Sequence, residues 1–580
     1  MVNYVGFLEY AWSISFEKDW LKTKLLVSPR FNFPQLVLDE VGLVTIIPEP
    51  KVSKNAEEEK TISLMGYVFP SDPLGKTQLV SLFRASVFHL SAHVVSASLR
   101  DYEEWRENKD PRLAKFTISL IEDVKAEACV RLLHADGLAD LAFANTLALQ
   151  RLRRIDKMAN PATRIMTGLL VKTNTGSTET HSENERKTIT DLVGLLREFK
   201  EKVVLSSKDG KVSLKEDQER VADKIYGTIE DVGPVTEVPF LPHTEELGSC
   251  SILYPCYTVN PDVTLGDNFK KCLQFLGGTI PSSEGGEELR EKKFAAEAVQ
   301  IFESWERQKE KEEKTLSVYE NLLSTNFKSV ETPEKDYSEY LRVKARCKGD
   351  SHKLTGTLLV ATDAVDEDPN KLYGVLDLQE VIQVIASKSP RMDVFMLDEN
   401  KSKSYSWVIL LDASRSMKGN KDFALELFVS LGEAANALLM DPTSWGMYAF
   451  NDRFFIIKDP KERYNTEVKS RIGGMEFEGS TFMPDALSLA GQVIKPRPEN
   501  LRLITIISDG WPYGYPDMDA ALSETINTLQ GGNIALIGIG AQSRRMEFLF
   551  KSSCSVYTLR DFTKKFPNLY FEASKIAAET

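Results

Sequence analysis

The chain has only six cysteines in 580 residues, Cys129, Cys250, Cys256, Cys272, Cys347 and Cys554, and no CxxC pair among them. So sparse a set argues against a disulfide framework or a cysteine zinc cluster, and makes reducing cytoplasm the expected compartment. Also missing is any uncharged apolar run approaching the roughly 18 to 20 residues of a membrane helix, so no membrane span is expected. The opening stretch, MVNYVGFLEYAWSISFEKDW, lacks a basic n-region and carries Glu9 in its most apolar part, so it does not read as a signal peptide. Positive charge is in deficit: 72 Lys and Arg stand against 85 Asp and Glu, for a net charge of −13. Phosphate binding runs on clustered Lys and Arg, so nucleic acid is not the expected partner. There is no internal repeat. Nor is there a phosphate loop: FPSDPLGKTQ contains Gly75-Lys76-Thr77, but the required glycine five positions earlier is Pro70, so the segment reads as a helix N-terminus.

What is present is the balance of a soluble globular protein, 42% hydrophobic and 27% charged, long enough for two to four domains. Residues 1–280 read as a mainly helical N-terminal region. In 77–100, Phe83, Val87, Leu90, Val94 and Ala97 fall on one helical stripe, and 116–133 repeats the pattern with Ile121, Val124, Ala128 and Leu132. HADG ends that helix at Gly137, and another helix is expected over 139–156. The polar stretch 173–186 reads as a flexible loop, 187–230 as helix broken by the turn SSKDGK, and 231–265 as irregular with room for a hairpin. Residues 281–403 hold the loop PSSEGGEE, a long charged helix and a connecting segment; the charge run reads as a solvated face.

From about residue 404 the pattern changes. WVILLD, SWGMYAF, FFIIKD, RLITIISD and IALIGIG alternate with KDFALELFVSLGEAANALL, MPDALSLAGQVI and DMDAALSETINTLQ. Buried β-branched runs alternating with amphipathic helices predict an α/β domain over 404–580, doubly wound and mainly parallel, with helices on both faces. Sites in such sheets form at the carboxyl ends of strands, where Asp412 and Asp509 both sit.

The run WVILLDASRSMKG places Asp412, Ser414 and Ser416 in the loop leaving the first strand. EGSTFMPDAL offers Thr481 just before a helix, and ISDGWP offers Asp509 at the end of another strand. In a doubly wound sheet these loops share one edge. Two carboxylates and three hydroxyls, with no His or Cys, form a hard-oxygen set that suits Mg²⁺ or Mn²⁺. D-x-S-x-S alone recurs by chance, and helix capping is a plainer use of the two aspartates. Five positions in one α/β alternation carry the reading to metal. Trp511, Tyr513 and Tyr515 follow the Asp509 turn and would rim the face or pack the loop, and Arg415 lies between the serines, facing a partner or bonding its own loop.

This constellation resembles the metal-ion-dependent adhesion site of the von Willebrand factor A (VWA) domain: D-x-S-x-S, then a distant Thr, then a distant Asp. The resemblance implies that Ser414, Ser416 and Thr481 touch the ion, that Asp412 and Asp509 act largely through water, and that an acidic residue of a partner completes the shell. With its long helical N-terminal part and the helix LIEDVKAEACVRLLHADGL (120–138), the chain resembles the NorD, CbbO and CobT group of VWA proteins that work with MoxR-type AAA+ ATPases. The group implies an adaptor in which the ATPase supplies the force, a client enzyme is activated, remodelled or loaded with metal, and this chain is no catalyst. A free-standing VWA binding module is the alternative.

A less favourable alternative is a zinc-dependent hydrolase. His89 and His93 lie at i and i+4 on a helix, and Asp123 and Glu127 share a face of the next one and could add a ligand. Yet Leu90 stands where a metalloprotease has its general-base Glu. Both histidines flank an apolar stripe and are read as packed or hydrogen-bonded helix residues, and Asp123 and Glu127 suit a solvated face pairing with Arg131.

Overall fold

The computed structural model describes residues 6–16, 23–39, 42–54, 60–176, 182–209, 215–245, 253, 257–259, 266–278, 286–322, 326–362, 367–372, 375–387, 390–398, 405–439, 441–499, 501–511, 515 and 517–579. Parts of the expected loops at 173–186 and 281–288, of the turn at 206–211 and of the 231–265 segment, and all of Tyr513, lie outside them. The chain divides into two compact units, Met1–Glu310 and Lys311–Thr580. Neither expected boundary, at 280 or 403, coincides with that division. The long charged helix, Gly286–Leu322, runs across it.

The N-terminal unit is helical, as its periodicity predicts, with helices Pro73–Ser96, Pro111–Leu133, Leu138–Arg151, Pro161–Thr175, Glu183–Asp209 and Lys215–Glu230. Three of them start on the same device, an Asp or Asn cap followed by proline. Asp72 accepts from the Gly75 N–H, Asp110 from Arg112 and Leu113, and Asn160 from Thr163. At Gly75-Lys76-Thr77 the backbone is therefore the first turn of a helix. Apolar residues of these helices form a shared core that includes Phe116, Ile121, Leu169, Leu196 and Ile225. Pro73–Ser96 is long and apolar enough to cross a membrane, but 72% of its most apolar window is buried inside the structure.

The sequence reading missed the strands that precede these helices. Thr23–Ser28, Gly42–Pro48 and Gln35–Asp39 make one small sheet. Lys51–Lys54, Lys60–Leu64, Tyr67–Pro70 and, from far along the chain, Tyr257–Thr258 make another. The last of these pairs parallel to Tyr67–Val68, not within a local hairpin.

The C-terminal unit holds the predicted α/β sheet. Its seven strands lie in the order Ser553–Val556, Ile534–Ala541, Leu501–Ser508, Tyr405–Asp412, Trp445–Phe450, Phe454–Lys458, Val330–Glu331. Only Trp445–Phe450 with Phe454–Lys458 pairs antiparallel. Along the central strand, Trp407, Ile409 and Leu411 enter one core with Leu425 and Phe428 of helix Lys421–Leu438. Val408 and Leu410 enter the opposite core with Leu487 of helix Met483–Ile494 and Leu522 of helix Met518–Gly531. Burial on both faces explains the unbroken apolar run. From the central strand the chain goes to Trp445–Phe450 on one side and later to Leu501–Ser508 on the other. The winding thus reverses at the strand that ends in Asp412, the place where open sheets of this kind form a crevice at the strands' carboxyl ends.

Candidate metal centre

The three loops named from the sequence meet in that crevice. Asp412 is fully buried, and each of its oxygens accepts a bond: Oδ1 from the Ser414 N–H at 3.0 Å, Oδ2 from the Ser508 hydroxyl at 2.6 Å. The Ser414 and Ser416 Oγ atoms stand 3.1 Å apart. The Thr481 loop is tied to this one by two backbone bonds, Arg415 N–H to Gly479 O at 3.2 Å and Glu478 N–H to Ala413 O at 3.0 Å. Gly479 takes a left-handed φ of +78°, and a Cβ there would lie 2.3 Å from Asp452 Oδ1. Thr481 itself is buried, directly before helix Met483–Ile494.

Asp509 follows the neighbouring strand and is buried. Its Oδ1 accepts from the Trp511 N–H at 3.1 Å, while the Gly510 N–H bonds Ser508 Oγ at 3.0 Å. Burial, opposed by the bonds from Ser414 and Ser508 and reinforced by the Asp509 charge, pushes the Asp412 carboxyl up to about 6. Two buried carboxylates thus lie close together at the foot of a face where Ser416 is exposed, and a cation there would relieve their repulsion.

Two residues of this face escaped the sequence reading. Ser508 holds Asp412 across the strand pair; its only signal was its place before Asp509 in ISDGWP. Asn451, just after strand Trp445–Phe450, is fully buried, and its side-chain nitrogen has no partner among the described residues. Its backbone carbonyl accepts the Phe482 N–H at 3.3 Å, which steadies the Thr481 loop. Of the expected rim, Trp511 is exposed with the Arg545 guanidinium 3.7 Å above its ring, whereas Tyr515 packs on Phe482. The Arg415 side chain is exposed.

The histidine pair lies in the N-terminal unit. His89 and His93 are buried with their Nε2 atoms 2.9 Å apart, and Asp123 Oδ1 lies 3.2 and 3.3 Å from them. Burial works against the Asp123 charge, but the two imidazoles outweigh it and hold the carboxyl well below its usual range. Asp123 is therefore no part of a solvated face. Glu127 meets Lys200 at 2.8 Å; the expected partner was Arg131. Glu122, just before Asp123 and in neither role, is buried and takes bonds from Ser98, Tyr102, Lys125 and Gln218.

No protein-family model matches the chain, and no curated protein matches it. Among solved structures, the crystal structure of the RO (RSR) protein of Deinococcus radiodurans is similar at 12% identity over 72% of this chain and 88% of that one, with a TM-score of 0.19. A score so low supports no statement about fold or activity.

Proposed function

We propose that the C-terminal unit is a VWA domain whose three-loop site holds Mg²⁺ or Mn²⁺ and captures a partner protein through it. The observation that carries this reading is the meeting of Asp412, Ser414 and Ser416 with the Thr481 and Asp509 loops at the reversal point of a mainly parallel sheet. The donor set fits such an ion. Neighbouring oxygens in an octahedral shell at about 2.1 Å lie about 3.0 Å apart, close to the separation of the two serine hydroxyls. Ser414, Ser416 and Thr481 would supply direct ligands. Asp412 already accepts one bond on each oxygen and would act through water, as would Asp509. When bound, the ion supplies a positive centre that neutral hydroxyls leave only partly balanced, so a partner's carboxylate is welcome beside it.

The adaptor reading adds a MoxR-type AAA+ ATPase as partner and a client enzyme that the pair activates, remodels or loads with metal, in the cytoplasm. It rests on the likeness of the five-position motif and of helix 120–138 to the NorD group. The test is an affinity pull-down of the full chain from native extract, with Mg²⁺ and then with chelator. An AAA+ ATPase that drops out with chelator, and with Asp412→Ala/Ser414→Ala, is the expected result. Binding unchanged in that variant would refute the metal-face mechanism. Recovery of no ATPase under either condition would leave a free-standing binding module.

A further inference from the structure

The N-terminal unit holds a second cluster, of different chemistry. Helix Pro73–Ser96 sets His89 and His93 one turn apart, and helix Pro111–Leu133 brings Asp123 against them. The three facing atoms form a triangle with sides of 2.9, 3.2 and 3.3 Å. Donors at about 2.0–2.1 Å from a tetrahedral Zn²⁺ lie about 3.3 Å apart, and adjacent donors in an octahedral shell about 3.0 Å. The triangle spans that range.

The 2.9 Å contact between the rings is itself a hydrogen bond, and the carboxylate oxygen is the member it leaves out. Asp123 Oδ1 accepts no aligned hydrogen bond from either ring, although both are within ion-pair reach. The contact between the rings joins two Nε2 atoms, so both rings present the same edge to the carboxylate. The three facing atoms also stand where the donors of one bound cation would.

A separate observation points the same way. His243 arrives from the segment after helix Lys215–Glu230 and is fully buried, yet neither of its ring nitrogens has a partner among the described residues. Buried polar groups are nearly always hydrogen-bonded, so this imidazole calls for an explanation. With His89 and Asp123 but not His93, His243 lines one cavity of about 240 Å³, whose wall mixes apolar residues such as Leu120 and Val124 with polar and charged ones, Asn145, Arg197 and Lys200.

We infer that His89, His93 and Asp123 bind one divalent transition-metal ion, Zn²⁺ or Fe²⁺, with its remaining positions open to the cavity that His243 lines. Two imidazoles and a carboxylate suit these ions and not Mg²⁺ or Ca²⁺. Three protein ligands with open positions are the pattern of centres that bind water or a small molecule, while purely structural sites are closed. Glu127 also lines the cavity but is engaged by Lys200 and stands outside the triangle. Leu90 occupies the place of a metalloprotease base, so no peptidase step is assigned. The chain would then hold two ions of different class, a hard one in its C-terminal unit and a borderline one in its N-terminal unit. This inference stands apart from the adaptor reading.

The experiment is a Zn²⁺ titration of the full-length protein against a competing indicator, with elemental analysis of the protein as purified and Asp412→Ala as the background. About one equivalent of Zn²⁺ or Fe²⁺ is expected. Asp123→Asn and His93→Gln should each weaken Zn²⁺ at least about tenfold with the circular dichroism spectrum unchanged. Equal affinity in wild type and both variants would overturn the inference, as would the absence of any tight site in wild type. Should the variants not fold, Co²⁺ added to the wild type decides. Intense visible bands of a low-coordinate nitrogen-ligated ion support the site; an unchanged spectrum overturns it.

Discussion

The two units differ in how plainly their sequences declare them. In the C-terminal unit every apolar run that reads as a strand is one, from Tyr405–Asp412 to Ile534–Ala541. These strands are buried on both faces, so Trp407 and Val408 are equally apolar although they enter opposite cores. In the N-terminal unit the strands before residue 71 are short and partly exposed; Val37, Leu38 and Val52 face solvent. Their hairpin Lys60–Pro70 turns on Met65-Gly66, both with positive φ, 53° and 77°. Such two-residue turns are signalled by Asn-Gly or Asp-Gly, and a methionine in that place hides them. Legibility follows burial and turn chemistry more than proximity to function.

That contrast can be broken or sharpened by substitution. The largest effect is expected at Arg471, which no sequence pattern marks. It is almost fully buried and bonds Glu312 at 2.6 Å, Glu462 at 2.9 and 3.1 Å and the Ile457 carbonyl at 3.0 Å. Arg471→Ala strips both carboxylates of this partner and should cost about 3–5 kcal/mol in urea unfolding followed by tryptophan fluorescence. A cost under about 1 kcal/mol would mean those carboxylates find water instead.

Gly479→Ala comes next, at about 1–3 kcal/mol, because it demands a left-handed backbone and collides with Asp452. It should also weaken Mg²⁺ by displacing Thr481; intact affinity would separate the turn from the site. Ser508→Ala removes the hydroxyl that holds Asp412 Oδ2, a bond to a charged group worth about 1.5–3 kcal/mol. Mg²⁺ titration should read this as roughly tenfold weaker binding, and unchanged affinity would make Ser508 a packing residue only. The smallest effect belongs to the N-terminal unit. Asp72→Ala should cost about 1 kcal/mol by losing the cap on Gly75, measured by thermal unfolding. A loss of nucleotide binding in that variant would instead revive the phosphate loop.

The candidate sites show the same divide. Asp412, Ser414 and Ser416 were legible because three residues of one loop carry the pattern, and strand alternation then located Thr481 and Asp509. Ser508 and Asn451 were not, since each acts across strand neighbours that only the folded sheet supplies. For His89 and His93 the spacing was visible, and Asp123 and Glu127 were both offered as a further ligand, but packing and a solvated face were the preferred reading. The approach of Asp123 to the histidines, to about 3 Å, depends on how two helices pack, which periodicity does not encode. For the same reason Glu127 found Lys200, a residue of a third helix, and not Arg131 one turn away.

The account rests most heavily on the ion proposed at the end of the central strand. Calorimetric titration of Mg²⁺ into the full-length protein and into Asp412→Ala/Ser414→Ala tests it directly. One saturable site in the wild type, absent from a variant with an unchanged circular dichroism spectrum, is the predicted result. Identical isotherms for the two proteins would contradict it.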